Sequence, residues 1–320
     1  MILALWLLLS GAPQPEALRA AAERGEAAAQ TRLAVRYLTG DGETLDVPRA
    51  LEWLNKAASQ NDVQAQFLLG ALYAEGKSVP RDDAKAITWF TRAAHLGDTG
   101  AQLNLGMLYA QGRGVPRDYP QALSWYRKAA AAGDLRAINL VAYHLRQGLG
   151  VDANLAEAAR LWSVAAARGD AASQFALADC YRNGAGVGRD PAAAVPWLER
   201  AAAQRHPQAQ LLLAEMLERG EGATRDPQRA RAVLAQAVEQ DYVPALRRMA
   251  EWETDPAAAA ALYQRGAARG DATSAYRLAG LYLEGNGVPK NERAARRLLE
   301  QAAKAGLAEA QSRLASLEKP

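Results

Sequence analysis

The chain is 320 residues long and half hydrophobic, yet only 7% aromatic, with three Phe and three Ile against 74 Ala. Strands favour β-branched and aromatic residues and Ala is the strongest helix former, so a large sheet is excluded, disorder is excluded by the apolar content, and an all-α chain is expected. Thirty-eight basic residues oppose 35 acidic ones with no Lys/Arg run of five, so the basic stripe of a nucleic-acid binder is missing, and the single Cys180 leaves neither an intramolecular disulfide nor a Cys-based zinc site.

In chain order, Ile2 to Leu9 reads ILALWLLL, followed by Ser10-Gly11-Ala12 and then Pro13-Gln14-Pro15. An apolar run before small residues resembles a secretory signal peptide over residues 1–12, although no Lys or Arg precedes it. The run is too short to span a bilayer, so no stable membrane span is expected. Periplasmic or secreted localisation is the expectation. The alternative is an uncleaved start whose apolar stub packs on the first helix of a cytoplasmic protein. Residues 13–26 follow as a degenerate half-repeat, with EALRAAAERGE as its helix.

From residue 27 the chain repeats itself. Residues 63–98 read VQAQFLLGALYAEGKSVPRDDAKAITWFTRAAHLGD, and 99–134 read TGAQLNLGMLYAQGRGVPRDYPQALSWYRKAAAAGD. The same frame holds for 27–62, 135–170, 171–206, 207–242 and 272–307, while 243–271 is shortened by seven residues. Such a period marks a stack of supersecondary units, none of which buries its apolar stripe alone. Positions 3, 7, 8 and 11 are small, usually Leu, Gly/Ala and often Tyr, one face of a helix. Gly at position 14 suits a left-handed C-cap. Asp or Asn at position 20 (Asp46, Asp82, Asp118, Asn154, Asp190, Asp226, Asn291) suits the N-cap of a second helix. That helix carries Ala at 24 and 31–32 and Trp or another apolar residue at 27–28, read as core between helices. Asp at position 36 (Asp98, Asp134, Asp170) caps the next first helix. Residues 308–320 are read as a C-terminal capping helix.

The pattern A-Q-x-x-L-G-x-L-Y, then G-x-G-V-P-R-D, then A-L-x-W-Y-x-K-A-A-x-x-G-D resembles the Sel1-like repeat, a relative of the tetratricopeptide repeat, over residues 27–307. The resemblance implies a right-handed α/α solenoid of stacked antiparallel helix pairs with a 36-residue repeat. It also implies a binding scaffold, and together with the signal-like start the expected function is a non-enzymatic scaffold of the bacterial envelope that binds a protein or peptide in its concave groove, for complex assembly, signalling regulation or toxin immunity. Block 135–170 departs from the pattern at Val141 and Leu145. Block 207–242 has Leu217 and Val233 in place of aromatics, and block 243–271 turns tightly at Thr254-Asp255-Pro256.

Chemistry finds little support. The Gly loops follow no strand and no phosphate-binding G-x-x-x-x-G-K-[ST] occurs, so they read as turns. His95, His144 and His206 fall at unlike positions and suggest surface or packing roles. Cys180 replaces a core aliphatic. No catalytic residue, metal ligand or cofactor is expected, nor nucleic acid, and the protein is expected to be a monomer. Cysteine-rich Sel1-like proteins that bind or hydrolyse β-lactams supply the enzymatic alternative, but their repeats are cross-linked by Cys pairs that this chain lacks.

In the related tetratricopeptide stack, first-helix positions 2, 5, 9 and 12 face the groove. Here those positions select Phe67, Leu103, Met107, Asn139, Tyr143, Arg146, Phe175 and Arg182 as partner-binding residues. Aromatic and Arg side chains are the usual anchors of an interface.

Overall fold

Eighteen helices and no strand occur among the residues described by the computed structural model, 15–317. The apolar run Ile2–Leu9, the cut after Ala12 and residues 318–320 lie outside the described residues. The chain divides into two compact units, one up to Leu161 and one from Trp162. The first contains α1 (Pro15–Glu23), α2 (Ala27–Thr39), α3 (Val47–Ser59), α4 (Val63–Glu75), α5 (Asp83–His95), α6 (Thr99–Gln111), α7 (Tyr119–Ala131) and α8 (Leu135–Gln147). The division falls inside α9 (Leu155–Ala167). The second contains α10 (Ala171–Asn183), α11 (Pro191–Ala203), α12 (Pro207–Arg219), α13 (Pro227–Glu239), α14 (Val243–Trp252), α15 (Pro256–Ala268), α16 (Ala272–Glu284), α17 (Glu292–Lys304) and α18 (Ala308–Leu317).

Caps set these boundaries. The side chains of Asp46, Asp82, Asp118, Asp190, Asp226 and Asn291 each accept the backbone N–H three residues on, opening the second helices. Their own N–H groups reach back to the first helix, as from Asp118 to Tyr109 O (2.9 Å) and from Asp190 to Tyr181 O (2.7 Å), which closes the intervening loop. First helices end on a left-handed Gly and start on Asp62, Asp98, Asp134, Asp170 or Asp271. The shortened block passes from Trp252 to Pro256 in three residues, with Asp255 capping α15.

Packing within each unit is an alternation. First and second helices pair (α2/α3, α4/α5 and α6/α7; α10/α11, α12/α13, α14/α15 and α16/α17), and each second helix packs on the first helix of the following pair. The fold is thus an all-α solenoid of stacked helix pairs. Small residues make the contacts close. Position 24 (Ala50, Ala86, Ala122, Ala194, Ala230, Ala295) and position 31 (Ala57, Ala93, Ala129, Ala201, Ala237, Ala302) are fully buried, and extra methylenes there would overpack the seam. Position 28 supplies the bulk, with Leu54, Phe90, Tyr126, Leu198, Leu234 and Leu299 all buried. Cys180 is buried with them, in the place of an aliphatic.

The tryptophans require a correction. Core side chains come from position 28, whereas Trp53, Trp89 and Trp197 at position 27 are half-buried on the second helices, and only Trp125 of that set is buried. A cation one turn on covers each ring: Lys56 at 4.1 Å from the Trp53 centroid, Arg92 at 4.8 Å from Trp89, Lys128 at 3.8 Å from Trp125 and Arg200 at 4.6 Å from Trp197. Positions 27 and 28 point about 100° apart on a helix, so only one of them can face the seam.

A polar thread also joins successive pairs. Gln30, Gln66, Gln102, Gln174 and Gln210, at position 4, are buried, and each Nε2 donates to a carbonyl of the preceding second helix eight residues earlier (Ala22, Ala58, Ala94, Ala166, Ala202) at 3.1–3.2 Å. Where position 34 is also Gln, it donates to the Oε1: Gln60 to Gln30, Gln204 to Gln174 and Gln240 to Gln210. Where position 34 is Leu96 or Ala132, the buried Oε1 of Gln66 or Gln102 accepts nothing. A buried acceptor without a donor carries a desolvation penalty. Leu96 is half-exposed and has the backbone angles of its Gln counterparts. Leu96→Gln is therefore expected to stabilise the protein by about 1 kcal/mol, read as a higher urea midpoint at unchanged m-value; an unchanged or lower midpoint contradicts the assignment.

Candidate functional site

The groove positions of the first helices do not behave alike. Position 5 enters the seam with the next pair. The Phe67 ring lies 5.8 Å from that of Phe90, and a Cβ on Gly100 of α6 would stand 3.1 Å from its Cε2. Leu103 is buried, with 5% of its surface exposed. Its expected place as a groove contact is corrected, because it offers a partner almost no surface. In the second unit, Phe175 stacks on His206 with centroids 5.2 Å apart, again across the seam to the next pair. Arg182 is held by Glu221, with Nε 3.1 Å from Oε1.

Position 9 divides differently. Val35 and Ala71 are buried, whereas Met107 on α6 and Tyr143 on α8 are exposed at 39% and 48%. They occupy the same register position in successive first helices. Asn139 and Arg146, also on α8, are half-buried beside them in sequence register. Charge is sparse around Met107 and present beside Tyr143: α4 carries Glu75 as its one charged residue and α6 carries none, whereas α8 carries Arg136 and Arg146. Apolar residues run round α4 and α6 because they are packed on more than one side, and Met107 is the large apolar residue of the two that stays exposed. The first unit thus presents two large apolar side chains in solvent, Met107 on a helix without charge and Tyr143 on a helix that also carries Arg146. Of the eight residues selected from sequence, Met107 and Tyr143 are accessible, Phe67, Asn139 and Arg146 are half-buried in the same unit, and Phe175 and Arg182 belong to the second unit.

Beneath Tyr143 lies a group that sequence spacing did not single out. His144 is buried at position 10, where other blocks have Leu72 and Leu108. Its ring meets those of Tyr126 (5.3 Å), Tyr119 (5.8 Å) and Tyr143 (6.2 Å) edge-on, and its Nδ1 is 3.1 Å from Leu149 O. Burial pushes this imidazole below its ordinary value of 6.5, against the opposing effect of that carbonyl. His206 is lowered too, by burial, with the charge of Asp170 opposing. His206 stands where other blocks have Asp, and its Nδ1 accepts the Ala209 N–H as the cap of α12. Both rings therefore serve in the neutral form, and the unfolded chain takes up protons first. Their contribution to stability is complete above about pH 6.5 and is lost as the pH falls from there through the folded-state values. The unfolding midpoint is expected to drop between pH 7.5 and 5, and a chain with His144→Leu and His206→Asp to drop less. Parallel profiles for the two chains would contradict this.

Among the described residues, no three His, Cys, Asp or Glu side chains are grouped to hold a metal ion, and no helix is long and apolar enough to cross a membrane. The arrangement offers surface for recognition.

Comparison with known proteins agrees with this architecture. The Sel1 repeat family model matches residues 27–62, 63–98, 99–134, 135–170, 171–206, 207–242, 253–271 and 272–307. No curated protein matches the chain. A protective antigen of uropathogenic Escherichia coli strains that displays an SLR fold is 33% identical, with a TM-score of 0.77, over 96% of this chain and 67% of that one. A Sel1 repeat protein of Oxalobacter formigenes is 31% identical, with a TM-score of 0.74, over 98% and 93%. Yeast Tom70, at 14% identity and a TM-score of 0.53 over 91% and 64%, shares the fold alone. Eight matched repeats and two structural relatives above 30% identity place the chain in the Sel1 repeat family, whose helical scaffold is of the protein-interaction type.

Proposed function

We propose that this protein is a non-enzymatic scaffold of the bacterial envelope that holds an apolar segment of a protein partner against the first-helix face of its first unit. The observation that carries this reading is the pair of exposed side chains, Met107 and Tyr143, at one register position of successive helices. Large apolar side chains in solvent favour docking by desolvation, and an Arg beside them is a usual interface anchor. Phe67, Asn139 and Arg146 border the contact.

The envelope assignment rests on the apolar run and small residues of 1–12. Amino-terminal sequencing of the protein from its native host tests that part: a mature chain beginning near Pro13 supports it, and an intact start returns the scaffold to the cytoplasm. The docking face is tested by affinity capture with the wild-type chain and with Met107→Ser, Tyr143→Ser. Both substituted positions are exposed, so the fold should persist with unchanged helix content while the captured partner is lost, by about tenfold or more for two removed anchors. Equal capture by both chains would refute the assignment.

A further inference from the structure

We propose that the C-terminal pair of the second unit carries a second, separate docking site, one for an acidic peptide segment that seats an apolar side chain over Gly280. An open cleft of 360 Å³ lies there, lined by Tyr263, Tyr276, Gly280, Leu283, Arg277 and Arg313 among others. Gly280 occupies position 9 of α16, where other blocks have Met107, Tyr143 or Glu215, and a Cβ placed on it meets no atom within 4 Å. The missing side chain leaves a hollow in the first-helix face, walled by Tyr276 one turn before and Leu283 one turn after. An apolar side chain of a partner fits such a hollow.

Charge supplies the second, independent argument. Arg277 and Arg313 line the cleft, and neither has a carboxylate within ion-pair distance among the described residues. By contrast, Arg248 and Arg265 of the preceding block are paired with Glu215 and Asp241. Two guanidiniums and one carboxylate, Glu284, line the cleft, and Glu309 lines an adjoining pocket with Arg313 and Tyr276. The surplus extends beyond the cleft. Residues 272–320 hold eight Lys and Arg against five Glu, and that excess of three equals the net charge of the whole chain. The rest of the protein sums to zero, though unevenly, with six Lys and Arg against two Asp over residues 99–148; the attraction of the cleft for an acidic partner comes from its own two guanidiniums. Planar guanidiniums pair carboxylates with two parallel hydrogen bonds.

The test uses the full chain and a fluorescein-labelled peptide of sequence DEFDE, followed by fluorescence anisotropy at low salt, with NQFNQ as the neutral control. DEFDE is expected to bind and NQFNQ to bind at least about tenfold more weakly, the size of one lost charge-assisted contact. Arg277→Glu with Arg313→Glu should abolish DEFDE binding. Gly280→Leu should weaken it about tenfold by filling the hollow, since the position is open and helical. Both chains should keep wild-type helix content, because all three positions are at the surface. The Met107→Ser, Tyr143→Ser chain should bind DEFDE as the wild type does. Equal binding of the two peptides overturns the proposal, as does full binding by the charge-reversed chain or loss of binding in the Met107, Tyr143 variant.

Discussion

Gly222→Ala is expected to destabilise the protein by about 4 kcal/mol, while Gly220→Ala in the same loop costs only about 1 kcal/mol. Both residues have left-handed backbones, with φ of 74° and 71°, and both would strain an L side chain to a similar degree. Their surroundings differ. A Cβ on Gly220 meets the Arg225 Cβ at 3.3 Å, which a small shift of a surface side chain relieves. A Cβ on Gly222 would lie 2.2 Å from Pro191 O and 2.5 Å from Pro191 C, the backbone at the start of α11 in the preceding pair. Backbone at a helix start cannot retreat without separating the two pairs. The first Gly of the loop therefore closes its own helix, and the second admits the neighbouring pair. Urea unfolding of the two variants decides this. Equal losses would mean that the loop acts through turn geometry alone, with no part in stacking.

The second large effect is expected at Gly70. In an isolated helix Gly→Ala stabilises by about 1 kcal/mol. Here a Cβ would stand 2.6 Å from Cδ1 and 2.8 Å from Cε1 of Phe90, a fully buried ring. Overpacking reverses the sign, and Gly70→Ala is expected to cost about 3 kcal/mol. Other blocks show the alternative solution, with Ala at position 8 and Leu at 28: Ala34 and Leu54, Ala178 and Leu198, Ala214 and Leu234, Ala279 and Leu299. Gly70→Ala combined with Phe90→Leu should therefore recover about 2 kcal/mol of the loss made by Gly70→Ala alone, a coupling that independent sites do not show. Additive losses in the double variant would contradict the paired-size account.

How much of this was legible beforehand depends on whether the cause lies within one helix. The period, the caps at Asp82 and Asp118, the left-handed Gly112 and the small positions could be read because each answers to local geometry or to a contact repeated every block. Positions 5 and 9 could not be separated, since four residues return to the same helix face. What distinguishes buried Leu103 from exposed Met107 is the cover given by the next pair, and no single-helix periodicity contains that. Trp89 and Phe90 were merged for a similar reason, although Arg92 one turn after the Trp was an available sign that this ring faces outward. The joint occurrence of Gln30 with Gln60, Gln174 with Gln204 and Gln210 with Gln240 was also visible. Its meaning required knowing that position 34 of a block reaches position 4 of the same block. His206 stood in a column of aspartates, and the role of that column as caps was enough to predict its hydrogen bond to Ala209.

The central claim is that the first unit recognises its partner through the face bearing Met107 and Tyr143. The most direct measurement is photocrosslinking in the native host with a photoreactive phenylalanine at position 107, compared with the same residue at Glu52, an exposed site on α3. The account predicts one discrete crosslinked species from position 107 and none from position 52. Crosslinking to the same species from both positions, or from position 52 alone, would contradict it.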